Sequence, residues 1–459
     1  MKKLFLALAI ASCFQYLNAQ ELPRKAGLGV AYYTTVPDSL VSILDYKKGA
    51  VVQTVVPGST AAAMNLQAMD IILSVNQQAI QSPADLARSA KTLREGQAVS
   101  LTVSRNKQLI SFTGKAIARP YEKSETANIT YGAFAYKGGW VRTIYKRQKE
   151  KAPLGTIYFL QGLPCYSMDN FTEKDKTKQA IDALVDRGFA VYRMEKADMG
   201  DNLNQAPCVS MGFDAELDMY RAGYRNLLQL PGIDTSNIFL FGHSMGGVTA
   251  PLLAKEFQPK AVVVYGTVFK PWMEYMLDAF RIQMGYFGED PQKLDNALKK
   301  YKPFIADYFE GRQSIESIAA NPTGLEALQL ILSYDPATGL AASGRSPLVF
   351  KEINAHDLSK AWQQTSSYVL AIYGECDIAA NNDADHKALV SWHNRTHPGK
   401  ASFWLAPGTT HTFEEIGTME DYIRWQSTPS AYYQYAENRF NAKVFDYVGN
   451  WLKSLLQKG

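Results

Sequence analysis

Residues 237–251, NIFLFGHSMGGVTAP, read as a short buried strand that breaks sharply into a helix. Ile238 to Phe241 is an uninterrupted apolar run, the pattern of a parallel strand covered on both faces. A periodic helical stretch, Phe213 to Leu230, precedes it. At the centre stands Gly242-His243-Ser244-Met245-Gly246, the Gly-x-Ser-x-Gly spacing of a nucleophile elbow. A serine hydroxyl is a poor nucleophile until a strained turn exposes it beside a base and opposite donors that bind an oxyanion. Glycines on both sides permit that turn, because strand and helix backbones come too close for a Cβ. Ser244 is the candidate nucleophile.

Such a serine needs a histidine and an acid, and six histidines are available. His243 adjoins the serine and is expected to point elsewhere; His356 precedes the next strand; His386, His393 and His397 lie in a polar, helix-like stretch with no strand immediately before them. His411 sits in APGTTHTF, just beyond Ala401 to Leu405, a run that reads as the last strand. Ser367 to Tyr373, SYVLAIY, reads as another strand, and the turn GECDIAA after it offers Asp377, with Glu375, Asp383 and Asp385 as competing carboxylates. Ser244, Asp377 and His411 thus each leave the carboxyl end of a strand, where ligands bind in open α/β sheets, and they follow the chain order Ser, Asp, His. His393 and His397 are four apart, but Pro398 ends any helix there and no cysteine or His-Glu pattern accompanies them. No phosphate-binding glycine loop is present. Neither a metal nor a cofactor is expected.

On GHSMGG, GECD and GTTHTF, the chain from about Ala127 to Gly459 resembles the α/β-hydrolase superfamily. The resemblance implies an eight-stranded, mostly parallel sheet with helices on both faces and an oxyanion hole of two backbone N–H groups. One belongs to the residue after the nucleophile, Met245. The other comes from the loop after the third strand, here Thr156 to Leu160 followed by Gln161-Gly162-Leu163-Pro164, and is assigned to Leu163. Many members carry His-Gly where this chain has Gln161-Gly162. The implied fold sets the loops after the third and fourth strands side by side, so Cys165 in QGLPC could pair with Cys208 in QAPCVS, a matter that geometry decides. Cys376 would then stay free beside the acid.

About a hundred residues between Ala261 to Gly266 and the strand at Ser367 lack strand-like alternation, too many for a loop in a compact domain. Helical periodicity in Phe269, Trp272, Met276, Phe280 and Met284 marks them as a cap that either walls an acyl or side-chain pocket or simply packs onto the body.

From Arg24 to about Ala118 the pattern changes to a small β-rich module. Leu28-Gly29-Val30, the strand Val51 to Val56, the turn Pro57-Gly58-Ser59, the helix Ala61 to Met64 and the strand Asp70 to Asn76 follow in close succession. Ser82-Pro83 opens a second helix with a serine cap and a proline at its first position, and Ala98 to Val103 closes as a strand. This order resembles a PDZ domain. The resemblance implies that Leu28, Gly29 and Val30 hold the terminal carboxylate of a peptide that adds as a strand to the sheet edge. Arg24 and Lys25 are placed to supplement that site, while Asn65, Met69 and Gln77 occupy turn positions where the family often has glycine. The alternative is a module that only positions the hydrolase part or helps it dimerise.

Met1 to about Ala19 has two lysines, the apolar core LFLALAIA and a small-residue end, the pattern of a secretory signal peptide. A rival reading takes Ile10-Ala11-Ser12-Cys13 as a lipoprotein cleavage site with a lipid on Cys13. No other run approaches 18 apolar residues, so no transmembrane segment is expected. The formal charge of +4 argues against a nucleic-acid partner.

The expected organisation is a signal peptide (1–19), a PDZ-like domain (24–118) and an α/β-hydrolase domain (119–459) with a helical cap (267–365). The expected function is an exported, periplasmic or secreted serine hydrolase that cleaves a small-molecule ester by Ser-His-Asp acyl transfer. A peptidase or aminopeptidase of the same fold is the nearest alternative, and a non-catalytic scaffold binding C-terminal peptides is the third. A serine nucleophile disfavours the dehalogenase and epoxide-hydrolase branches, which look to an aspartate.

Overall fold

The computed structural model describes residues 22–169 and 172–457. The expected signal peptide and Cys13 lie outside the described residues. An antiparallel sheet comes first, built from β1 (Val30–Tyr32), β2 (Ala50–Val55), β3 (Ile71–Val75), β4 (Gln78–Ala79), β5 (Ala98–Arg105) and β6 (Gln108–Lys115). Its order is β1-β2-β3-β5-β6, with β4 paired to β3. Leu28, Val52, Ile72, Leu86, Leu101 and Val103 fill its core. Asn65, Met69 and Gln77 all adopt positive φ, at 59°, 69° and 67°. These are left-handed turn positions at which a glycine would be unstrained.

The second sheet has eight strands: β7 (Ala127–Tyr136), β8 (Gly139–Gln148), β9 (Thr156–Leu160), β10 (Ala190–Met194), β11 (Ile238–His243), β12 (Ala261–Tyr265), β13 (Tyr368–Cys376) and β14 (Ala401–Thr410). The order is β14-β13-β12-β11-β9-β10-β8-β7. β7 and β8 are antiparallel to their neighbours, and the rest of the sheet is parallel. Every residue of β9, β11 and β12 is buried, which is why these strands are continuous apolar runs rather than alternating ones. One face is covered by the helices Phe213–Gln229 and Met245–Phe257, the other by Lys176–Asp186 and Ala442–Leu456. This mostly parallel sheet places Ser244, Asp377 and His411 each one residue beyond a strand, after β11, β13 and β14.

The segment between β12 and β13 is helical, with Trp272–Tyr286, Pro291–Phe309, Ile315–Ala319, Pro322–Leu332, Leu348–Ala355 and Leu358–Gln364. Asp290 before Pro291 and Asn321 before Pro322 are side-chain N-caps followed by proline at the first helical position. Such punctuation is why this stretch reads as separate helices.

Arg24 and Lys25 do not supplement a peptide carboxylate site. Arg24 is 1% exposed, and its guanidinium pairs with Asp169 and, at 2.7 Å, with Asp201 on the loop after β10. The Lys25 N–H donates to Asp201 as well, at 2.7 Å, and Asp201 also holds Arg142 of β8 at 3.0 Å. Two carboxylates compensate a guanidinium taken out of water, so Arg24 ties the first sheet to the second instead of facing a ligand. The polar stretch after β6 also pairs back onto this arm: Ala118 bridges Ala26, and the Arg119 N–H donates to the Lys25 carbonyl at 2.9 Å.

Candidate active site

β11 ends in a turn that only small residues permit. Ser244 has φ 56° and ψ −121°, and its N–H donates to the Tyr265 carbonyl at 2.9 Å. A Cβ on Gly242 would lie 2.4 Å from the Gly246 carbonyl oxygen, and one on Gly246 would lie 2.1 Å from that of Leu160. The elbow glycines therefore answer to backbone contacts with the next helix and with β9. Met245 begins the helix, so its N–H has no intrahelical acceptor.

Asp377 is fully buried, and both carboxylate oxygens lie 2.8 Å from His411 Nδ1. The Ala380 N–H donates to Oδ1 at 2.9 Å and fixes the carboxylate from its other side. Burial works against the charge on both groups, and their pairing outweighs it: the Asp377 carboxyl sits below its ordinary value and the His411 imidazole above its own. With Nδ1–H committed to Asp377, Nε2 of His411 is the nitrogen free to accept a proton. A Cβ on Gly266 (φ 63°) would come within 2.6 Å of Asp377 Oδ2 and 2.9 Å of the His411 ring. Gly266, which sequence treated only as a strand end, is thus what makes room for the pair.

The competing acids go elsewhere. Glu375 accepts from the Gly408 N–H at 2.8 Å, Asp383 pairs with Lys387 at 2.6 Å, and Asp385 accepts from the Phe269 N–H at 3.2 Å. Among the histidines, His356 pairs with Asp214 at 2.6 Å, and His393 is buried against the carbonyls of Trp362 and Ser367. His386 accepts from the Thr267 N–H, and burial pushes its imidazole down to about 4. His243 points away from Ser244's hydroxyl, but not to an idle place: its Nε2 bonds the backbone carbonyl of His411.

Ser244 and His411 line one cavity of about 420 Å³. Trp272, Met276, Phe280 and Met284, four of the five residues of the predicted apolar stripe, form part of its wall. Phe269 departs from the stripe and packs against Trp392, ring centroids 6.3 Å apart. Among the described residues no Asp, Glu, Lys or Arg side chain lines this cavity.

Leu163 and Met245, the candidate oxyanion donors, line the same cavity. The loop carrying Leu163 crosses close to Ser244, for a Cβ on Gly162 would lie 3.3 Å from the Ser244 Cβ. Cys165 on this loop is joined to Cys208 by a disulfide with a Cα separation of 6.0 Å. Cys376 is free and buried, its thiol pushed up to about 12 by burial. Lys196 and Arg345, which no motif singled out, donate to the loop's carbonyl oxygens. Their only signal in the sequence is Glu195-Lys196, a charged pair at the end of an apolar strand.

Leu28, Gly29 and Val30 line a separate cavity of about 460 Å³ with Leu86, Ala87 and Ala90 of the helix Pro83–Lys91. β1 is an edge strand of its sheet.

A model of the PDZ domain matches residues 35–115. Among curated proteins, the chain is 29% identical over 106 residues to probable periplasmic serine endoproteases, DegP-like, of Brucella suis and Brucella abortus. The match covers 23% of this chain, which spans about a fifth (21%) of the length of those relatives. Among solved structures, it is similar to Est1E from Butyrivibrio proteoclasticus, at 12% identity and a TM-score of 0.41 over 71% of this chain and 99% of that one. A soluble variant of monoglyceride lipase from Saccharomyces cerevisiae, in complex with a substrate analog, gives 15% identity and a TM-score of 0.41 over 73% and 99%.

Proposed function

We propose that this chain, a PDZ domain joined to an α/β-hydrolase fold, is an exported serine hydrolase that cleaves a neutral, apolar carboxylic ester through Ser244, His411 and Asp377. The observation that carries the reading is the His411–Asp377 pair opening, with Ser244, on one cavity that no Asp, Glu, Lys or Arg lines among the described residues.

His411, oriented by Asp377, takes the Ser244 proton at Nε2 as the hydroxyl attacks the ester carbonyl. The Met245 and Leu163 N–H groups bind the developing oxyanion, and His411 returns the proton to the departing alcohol. Water then repeats the sequence on the acyl-serine and frees the acid. The cap, residues 267–365, supplies the acyl wall of residues 119–459, and the PDZ part, residues 24–118, takes a C-terminal peptide at Leu28, Gly29 and Val30. Export is supported by the apolar segment near the N-terminus and by the Cys165–Cys208 disulfide, which an oxidising compartment sustains.

An aminopeptidase reading fares worse on one count. A substrate ammonium needs an anionic partner once desolvated, and none lines the cavity among the described residues. A fluorophosphonate probe tests the proposal: it should label wild-type protein at Ser244 and leave Ser244→Ala unlabelled and without esterase turnover. No adduct on the wild type would favour a peptide-binding scaffold.

A further inference from the structure

Behind the loop that carries Leu163 lies a buried ionic cluster that the acyl-transfer chemistry does not use. Lys196 is 1% exposed, and its ammonium is 2.6 Å from the Gly162 carbonyl oxygen, 3.1 Å from that of Leu163 and 2.8 Å from Glu216 Oε1. Three N–H groups meet three acceptors. Arg345, also 1% exposed, donates to the Leu163 carbonyl at 2.7 Å and to Glu216 Oε2 at 2.7 Å. We propose that Lys196, Glu216 and Arg345 are positioning residues that fix the Leu163 N–H for the oxyanion, a role that rests on the acyl-transfer reading of this site.

The peptide plane supplies the argument. Gly162 C=O and Leu163 N–H belong to one rigid trans amide and point in opposite directions. A cation holding the carbonyl from behind therefore aims the N–H away from Lys196, on the loop whose Gly162 abuts Ser244 and whose Leu163 lines the cavity. Arg345 and Lys196 together hold the next carbonyl, so the planes on both sides of the Leu163 Cα are fixed. A hydrogen bond to the carbonyl also polarises the amide and strengthens its N–H as a donor. Apolar residues of similar volume would serve stability as well as a buried ion triad or better, so stability alone does not account for two cations directed at consecutive carbonyls. Arg345 lies in the segment between β12 and β13, so the cap and the oxyanion loop share one residue.

The test uses the full-length protein with active sites counted by fluorophosphonate titration to completion. Lys196→Met should lower kcat per titrated site at least about tenfold, in the range that follows loss of an oxyanion donor, with KM changed less than about threefold. Affinity for a boronic acid transition-state analogue should fall in parallel, and Lys196→Arg should recover most of both. If Lys196→Met does not fold, Arg345→Lys replaces it, since an ammonium cannot span Leu163 and Glu216 as the guanidinium does; the same loss is expected. A per-site kcat within twofold of wild type with unchanged analogue affinity would overturn the positioning role alone. Absence of any Ser244 adduct in the wild type would overturn the acyl-transfer reading instead.

Discussion

His243 donates from Nε2 to the main-chain carbonyl oxygen of His411, 2.8 Å away. The residue before the proposed nucleophile thus holds the proposed base, across β11 and β14, which are not neighbours in the sheet. Burial pushes the His243 imidazole down to about 3, so the ring stays neutral at working pH and keeps one tautomer. His243→Phe keeps the bulk against Phe413, 4.7 Å away between ring centroids, but leaves the His411 carbonyl unpaired. An orphaned buried acceptor costs about 1–3 kcal/mol. Steady-state kinetics should show kcat reduced roughly tenfold or more, since each 1.4 kcal/mol of lost positioning is worth about a factor of ten; unchanged kcat would make the contact purely structural.

The raised His411 value fixes the sign of the pH profile. The base must be neutral to accept the serine proton, so kcat/KM should rise with pH through a midpoint above about 6.5, the ordinary imidazole value. Asp377→Asn removes the carboxylate that holds the imidazolium. The acid limb should then move down in pH while kcat falls by about three to four orders of magnitude. A pH series of both proteins on one ester reads both effects.

The candidate site was legible in the sequence because local chemistry shapes it: an elbow needs glycines where backbones touch, and a sheet buried on both faces leaves unbroken apolar runs. β13 and β14 outran those runs, to Cys376 and Thr410, because Gly374, Pro407 and Gly408 interrupt hydrophobicity without ending the pairing. β6 escaped notice for the opposite reason. None of its residues is fully buried: only Ile110 and Phe112 reach the core, and Leu109 on the other face is 72% exposed, so the apolar alternation is blurred although the strand pairs along its whole length with β5. Arg24 was misread because a buried cation is specified by carboxylates 145 and 177 residues away. Arg345, whose Glu216 partner lies 129 residues away, was invisible for the same reason.

The Cys165–Cys208 disulfide anchors the loop that carries Leu163, so it should affect both stability and turnover. Closing a chain segment of 43 residues is worth about 4 kcal/mol at 25 °C by loop entropy. Cys208→Ser should lower Tm by several degrees and reduce kcat more than it raises KM. Thermal unfolding and kinetics at a temperature well below the lowered Tm separate the two effects.

On the ester reading, the cavity wall should set acyl preference. Each methylene buried against Trp272, Met276, Phe280 and Met284 is worth about 0.8 kcal/mol, or roughly a fourfold gain in kcat/KM. A series of acyl esters should climb at about this rate until the cavity of about 420 Å³ is full and then fall. Aminoacyl esters with a free ammonium should be at least about a hundredfold poorer than acyl esters of equal length, because that charge would be desolvated without a partner. Equal rates for the two series would place an anion in the site and favour the aminopeptidase.

Lys196 is expected to give the alkaline limb of the profile. Burial pushes its ammonium down to about 8; the Glu216 carboxylate resists and the Arg345 guanidinium reinforces the fall. As pH rises through that value the ammonium loses a proton, and the amine left behind has two N–H groups for three acceptors. One hold on the oxyanion loop is then lost, so kcat should decline above about pH 8 in the wild type. Lys196→Arg carries a guanidinium that does not deprotonate in this range, and its profile should stay flat where the wild type falls. Stopped-time assays from pH 7 to 10, with folding followed by circular dichroism at each pH, distinguish this from general alkaline unfolding, which the arginine variant would share. A decline of equal midpoint in both proteins would assign the limb to another group and leave Lys196 without a titrating role.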